Sequence, residues 1–259
     1  MKLSIVTVVY NSIEGIERTI RSVISQSYND YEYIIIDGGS TDGTLDVISK
    51  YRNYVNVCIS EKDDGVYDAM NKAIGHCNGE WVVYMNAGDT FVSESTINNI
   101  FASNRDWSDV DVIYGDKIDC YKEGRVYSSA RPKELLEYRM PFCHQTSYVR
   151  LSLLKEYKFN LHYKLASDYD FFHRLYKDGK TFVYINEPLS CYYLEGGLSD
   201  SNMVKLFREE SVVSGKRDLV WLKRCVHVFF SYFARLFMPA QLLFRIRNMC
   251  RKSRLYEKY

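Results

Sequence analysis

No C-x-x-C pair occurs in this chain, and its seven cysteines are scattered and odd in number. That argues against a disulfide framework and against a zinc site, and it fits a reducing compartment. No charged-then-apolar leader is present, because a strand pattern begins within three residues of the start, so secretion is not expected. Repeats and low-complexity linkers are also missing. The turn Gly38-Gly39-Ser40-Thr41-Asp42-Gly43 lacks the second glycine of G-x-G-x-x-G, which excludes a Rossmann dehydrogenase. No glycine-rich phosphate loop follows the first strand. Tyr10-Asn11-Ser12 stands there instead, which argues against a sugar nucleotidyltransferase.

What is present is the composition of an ordinary globular protein. The chain has 259 residues, 46% of them hydrophobic and 26% charged, enough to bury a full core. Residues 3–10 are nearly all apolar and rich in β-branched side chains, as in a strand buried on both faces of a parallel sheet. Ile13, Ile16, Ile20, Val23 and Ile24 follow at helical spacing. Residues 33–37, 56–60 and 81–85 read as further strands. Ser40, Thr41 and Asp42 offer capping oxygens for a helix to about Lys50. Met70, Ile74 and Cys77 mark one side of another helix. This alternation predicts an α/β fold with a doubly wound, mostly parallel sheet. Beyond Asp89 the pattern predicts a helix near Ser93–Phe101, strands at Val112–Tyr114 and His144–Val149, a hairpin around Glu123-Gly124 and a helix from Asp168 to Lys177.

Ligands of open α/β sheets bind at the carboxyl ends of the strands. Three such ends here carry acids: Asp37, the Asp63-Asp64 pair and Asp89. Asp and Gly are also good turn formers, but three acids on one edge point to a site. Asp89, with Asn86 before it, can hold a hard cation through oxygen. Mg²⁺ takes one or two protein carboxylates and completes its shell with diphosphate and water. Asp68, Asn71 and Lys72 fall at i, i+3 and i+4, opposite the apolar stripe, and form a candidate face for donor contacts.

Together these blocks resemble glycosyltransferase family 2, an inverting group with the GT-A fold, from Lys2 to about Ser199. The carrying segments are Ser4–Asn11, Ile36–Gly43, Glu61–Lys72 and Trp81–Asp89. Glu61–Lys72 is similar to the donor-binding helix of a bacterial polysaccharide branch, as in colanic-acid-type transferases. The resemblance implies transfer of a sugar from a nucleotide-diphosphate donor, with UDP-sugars expected, to a glycan or lipid-linked acceptor, assisted by Mg²⁺ or Mn²⁺. It implies nucleotide and donor contacts from Tyr10, Asn11, Asp37, Asp64, Asp68, Asn71, Lys72 and Asn86. Asp89 would be the metal ligand. The family often has two acids at the metal motif, whereas here Asn86 and Gly88 replace them and Asp89 remains. Pro141–Gln145 resembles an acceptor-side block, which brings in His144 and Gln145. Ala166–Phe172 resembles the acidic catalytic segment, with Asp168 as base and Asp170, about 200° round a helix, as the alternative. Glu195–Ser199 resembles a mobile glycine-rich loop. A non-catalytic nucleotide- or glycan-binding module is the competing reading.

From residue 205 onward thirteen Lys and Arg stand against four Asp and Glu, a net +9, while the first 204 residues carry −8. The expected division is a transferase domain over 1–204 and a helical basic and aromatic tail over 205–259. Cys225–Phe244 approaches the length of a membrane span but contains Arg235 and Pro239. Helices lying in the interface of an anionic membrane are favoured over a spanning helix. A cap on the core or an oligomer interface is the alternative. The expected location is cytoplasmic, attached peripherally to the inner face of the cell membrane, with no nucleic-acid partner.

Overall fold

The structure, a computed structural model, describes residues 3–102, 105–122, 124–193 and 202–238. The apolar run at the start forms β1 (Leu3–Val9), and β2 (Tyr31–Asp37), β3 (Val57–Ser60) and β4 (Trp81–Tyr84) lie parallel to it in the order β3-β2-β1-β4. Period-2 alternation sorts their side chains into two layers. Leu3, Ile5, Tyr33, Ile35, Trp81 and Val83 face α1 (Ile13–Ile24), α2 (Thr44–Lys50) and α4 (Thr96–Phe101). Val6, Val8, Ile34, Ile36, Val82 and Tyr84 face α3 (Val66–Ile74), α5 (Leu151–Tyr157) and α6 (Ser167–Lys177). Each fully buried Leu or Ile contributes roughly 1.5–3 kcal/mol to this double sandwich.

Past β4 the sheet becomes mixed. The short β5 (Thr90–Phe91) follows the turn after β4. β6 (Val112–Tyr121), β7 (Gly124–Ser128), β8 (Ser147–Arg150) and β9 (Phe182–Tyr193) bring the strands among the described residues to nine, in the order β3-β2-β1-β4-β8-β6-β9-β5, with β7 paired to β6. β8 runs antiparallel to both β4 and β6. The strand expected at Val112–Tyr114 continues to Tyr121, because the partner strand β9 carries its ladder through a bulge at Gly115–Lys117. A strand was expected over His144–Val149, but the chain first curls into a 3-10 turn, His144–Thr146. The hydroxyls of Thr146 and Ser147 both donate to the carbonyl of Cys143 at 2.9 Å and hold that curl. The third helix ends at Ile74, where Gly75 caps it, and so stops short of Cys77.

At the amino edge of the sheet the buried carboxylate of Glu32 accepts from Ser4 Oγ (2.6 Å), Asn78 N (2.6 Å) and Gly79 N (3.0 Å). Gly79 sits so close to β1 that a Cβ there would lie 2.5 Å from the Ser4 nitrogen.

Two further helices, α7 (Met203–Ser214) and α8 (Leu219–Phe237), follow the sheet. Leu206 and Val213 pack against the core, and Glu209 Oε2 accepts from the backbone N–H groups of Leu165 and Ala166 at 2.8 and 3.0 Å. The residue 204/205 boundary thus falls within α7. No helix among the described residues is long and apolar enough to cross a membrane. The Glu195–Ser199 loop, Pro239 and the chain beyond it lie outside the described residues, as does the side chain of Arg235.

Candidate active site

A cavity of about 1590 Å³ opens along the carboxyl ends of β1 and β4. Its first wall is the turn after β1. Asn11 is held at φ 46° because its N–H donates to Ser40 Oγ (2.8 Å) and its Oδ1 accepts from Thr41 N (2.9 Å). Ser12 N donates to Thr44 Oγ1 and Ile13 N to Asp42 Oδ2, which stitches the turn to residues 40–44. Tyr10, Asn11 and Asp42 line the cavity. Asp37 lies behind them, fully buried. Its Oδ2 accepts from Gly39 N, Ser40 N and Ser60 Oγ, while Oδ1 is without a hydrogen-bond partner.

The second wall is the Asn86–Asp89 turn, gripped by α1. Thr19 Oγ1 accepts from Gly88 N (2.9 Å) and donates to Asp89 O (2.8 Å), and Arg18 Nε donates to Gly88 O (3.0 Å). The helix comes this close because Gly15 has no side chain: a Cβ there would lie 3.1 Å from Gly88 Cα. Asp89 is 5% exposed. Its Oδ2 accepts from Gln145 Nε2 (2.8 Å) and its Oδ1 from Tyr193 N (3.1 Å), while burial pushes its pKa up to about 6. Asn86 Oδ1 is buried with no hydrogen-bond partner.

These two groups fit a divalent cation. Asp89 keeps lone pairs beyond the single N–H each oxygen receives, and Asn86 offers an unsatisfied neutral oxygen. No cluster of three or more His, Cys, Asp or Glu suited to a metal occurs among the described residues, so the rest of any shell must come from the ligand and water.

The third wall carries Asp168 at the start of α6. Its Oδ1 accepts from the Tyr67 hydroxyl (3.0 Å), and its Oδ2 lies 3.3 Å from His144 Nδ1. The other ring nitrogen of His144 is 3.1 Å from Asn86 Nδ2. With the Asn86 amide donating, Nε2 accepts and the proton of a neutral ring sits on Nδ1, the nitrogen nearer Asp168. His144 therefore joins the two walls. Asp170 turns away, paired with Arg174 Nε at 2.9 Å, and does not line the cavity.

The structure thus brings Tyr10, Asn11, Asn86, Asp89, His144, Gln145 and Asp168 to one cavity. It places Asp64, Asp68, Asn71 and Lys72 outside it. Asn71 makes two hydrogen bonds to the backbone of Phe159, at 2.8 and 2.9 Å. Lys72 is paired with Glu61 (2.9 Å) and Asp68 (3.4 Å) on the outer side of α3. Asp68 also accepts from Asp64 N. Of the 63–64 pair it is Asp63 that lines the cavity, its Oδ2 only 2.4 Å from where a Cβ on Gly38 would be.

Sequence reasoning did not single out Arg18, whose guanidinium lies 3.8 Å from the Tyr193 ring centre, nor Lys117 and Asp119, paired at 2.6 Å. It also missed the far rim, residues 129–132 and 139–142, together with Glu210 and Arg224 from α7 and α8. An alternating charge pattern on β6 was the available signal for Lys117 and Asp119. The rim has no period to read.

The family model described as Glycosyl transferase family 2 matches residues 4–187. The chain is 28% identical over 209 residues to a PGL/p-HBAD biosynthesis glycosyltransferase of Mycobacterium bovis (strain BCG / Pasteur 1173P2), covering 79% of this chain and 81% of that one. Among solved structures it resembles S. aureus TarS 1-349 in complex with UDP-GlcNAc, with TM-score 0.67 and 20% identity over 93% of this chain and 77% of that one. It also resembles the mannosyltransferase PcManGT from Pyrobaculum calidifontis in complex with GDP-Man and Mn²⁺, with TM-score 0.64 and 18% identity over 87% and 68%. At these identities the two structures establish a shared GT-A fold.

Proposed function

Because the chain belongs to glycosyl transferase family 2, we propose that it is an inverting transferase that moves a sugar from a nucleotide-diphosphate donor to a hydroxyl of a glycan or lipid-linked saccharide in surface-polysaccharide assembly. The observation that carries this reading is the bridge from Asn86 through His144 to Asp168 across one cavity.

In this reading the nucleotide lies over Tyr10, Asn11 and Asp63, with Asp37 shaping the turn beneath. Asp89 and Asn86 would hold the divalent cation, Mg²⁺ or Mn²⁺, which supplies charge neutralisation for the departing diphosphate. The Mn²⁺ and GDP-Man bound to PcManGT and the UDP-GlcNAc bound to TarS support this class of cofactor and donor. Asp168 takes the proton of the attacking hydroxyl, at a gain of roughly 10²–10⁴ in rate. The Tyr67 hydroxyl donates to its carboxylate, and the His144 ring lies against it. A single displacement through an oxocarbenium-like state inverts the anomeric centre.

The tail is read as a membrane contact. Phe229, Phe230, Tyr232, Phe233 and Phe237 of α8 are exposed, with the exposed Lys223 on the same helix. An amphipathic helix of this kind adheres by apolar burial and by basic groups on anionic head groups, and in this reading the enzyme would lie on the inner face of the membrane beside a lipid-linked acceptor.

The test is a panel of nucleotide sugars with purified full-length protein and Mn²⁺, reading nucleoside diphosphate release with and without a lipid-linked saccharide. Acceptor-dependent release from one donor supports the reading. Tight nucleotide-sugar binding with neither transfer nor hydrolysis across the panel favours a binding module instead.

A further inference from the structure

Residues 129–132 and 139–143 line the cavity on a side away from β1 and β2. They follow β7, which pairs with β6, whereas the nucleotide end is built on β1 and β2 across the sheet. This rim presents two arginines to the cavity, Arg131 and Arg139. Neither guanidinium has a hydrogen-bond or ion-pair partner among the described residues. Elsewhere Arg52, Arg150 and Arg174 are each committed to a carbonyl or carboxylate oxygen. A third arginine, Arg224 of α8, reaches the same wall, but it is taken up by Glu210 at 2.5 Å and by the Tyr138 carbonyl.

We propose that Arg131 and Arg139 form an oxyanion subsite for the acceptor, so that the molecule receiving the sugar carries a phosphate or carboxylate near its accepting hydroxyl. The proposal rests on the sugar-transfer reading of the cavity. A partly buried guanidinium without a partner is costly, and a ligand oxyanion that accepts its N–H groups offsets that cost. The local charge agrees: burial, then the nearby Arg131 and Arg224, hold Arg139 below the usual arginine range. The one carboxylate among these groups, Glu210, is already paired. The scaffold is also set. Arg131 N donates to Pro141 O at 2.9 Å, which closes the rim on itself, and the Arg224 bond to Tyr138 O fixes the residue before Arg139. Arg131, Arg139, Glu210 and Asp168 all line the one cavity.

The experiment is calorimetric titration of the full-length protein, saturated with UDP and Mn²⁺, with methyl glucoside, methyl glucuronide and glucosyl methyl diphosphate. The three share the glucopyranose ring; the first is neutral, the second carries a carboxylate at C6 and the third a diphosphate at C1. One anionic probe should bind about tenfold or more tighter than the neutral one, as a charge-assisted pair of hydrogen bonds provides. R131Q, at an exposed position, and R139Q should each erase that preference while UDP affinity stays within about twofold of wild type. Preference for the diphosphate identifies a carrier-linked acceptor, and preference for the glucuronide an acidic glycan. Equal binding of all three probes, an unchanged preference in both variants, or loss of UDP affinity in R139Q would overturn the proposal. A wild type that binds no UDP would instead overturn the proposed function, and the anion preference would still be readable without the nucleotide.

Discussion

The Nδ1 atom of His144 lies 3.3 Å from Oδ2 of Asp168, and the same ring reaches Asn86 through Nε2 at 3.1 Å. One imidazole thus bridges the turn proposed to hold the cation and the proposed base. Removing it should leave Asp168 in place, held by Tyr67, but less well oriented. H144A is predicted to lower kcat by about tenfold to a hundredfold, the usual cost of losing a group that orients another, with donor affinity unchanged. Steady-state kinetics beside nucleotide titration check this. A weakened donor affinity at unchanged kcat would assign His144 to the donor.

Asp89 carries the pH prediction. Burial raises its pKa to about 6, so protons compete with the cation below that value. Mn²⁺ affinity should be flat above about pH 7 and fall roughly tenfold per unit below about pH 6. The same shift favours the metal-free fold at low pH, a contribution lost as pH rises through about 6. Titration of Mn²⁺ between pH 5 and 8 reads the effect, and D89N should remove both the affinity and its pH dependence. A pH-independent affinity in wild type would contradict the role given to Asp89.

Gly79 tests the packing at the opposite edge of the sheet. A Cβ there would meet the Ser4 nitrogen at 2.5 Å and the Leu3 carbonyl carbon at 2.8 Å, both backbone atoms that cannot swing aside. G79A should cost about 1–3 kcal/mol, a fall in Tm of roughly 2–4 °C per kcal/mol. Activity well below the transition should stay near wild type, because this edge lies at the far end of β1 from Tyr10. An unchanged Tm would show that the turn at Gly79 relaxes freely.

The N-terminal half of the fold was legible because β1 to β4 are short apolar runs ended by turn residues, and the helices between them carry apolar faces at i, i+3 and i+4. The Asn86–Asp89 turn and Asp168 were legible for the same reason, each lying where a regular element begins or ends. Asn71 and Lys72 show the limit. Helical spacing correctly puts them on a polar face, but which way that face points depends on Phe159, 88 residues away from Asn71. Arg131 and Arg139 were invisible because the only regular piece between them is the short 3-10 turn Lys133–Glu137, too short to leave a periodic trace. The closing of the cavity by α7 was hidden likewise, since Glu209 acts on Leu165 and Ala166 through tertiary contact alone.

The same contacts shape the membrane test. Cutting the chain at residue 205 would remove Glu209, which holds the Leu165–Ala166 backbone, and Glu210 of the cavity wall, so the face of α8 is better altered within the full chain. Phe229, Phe230 and Phe233 are exposed, and changing all three to Ser should abolish flotation on liposomes containing anionic lipid. Transfer to a water-soluble acceptor should persist. Equal flotation of the variant and wild type, or none by wild type, would defeat the membrane reading of the helix.

The most direct measurement compares D168N with D170N. Asp168 lines the cavity beside His144, while Asp170 is spent on Arg174. An amide is nearly isosteric with a carboxylate but accepts no proton, so D168N should bind nucleotide sugar normally and lose transfer by about 10²–10⁴. D170N should keep most of its turnover. An active D168N beside an inactive, folded D170N would contradict the account.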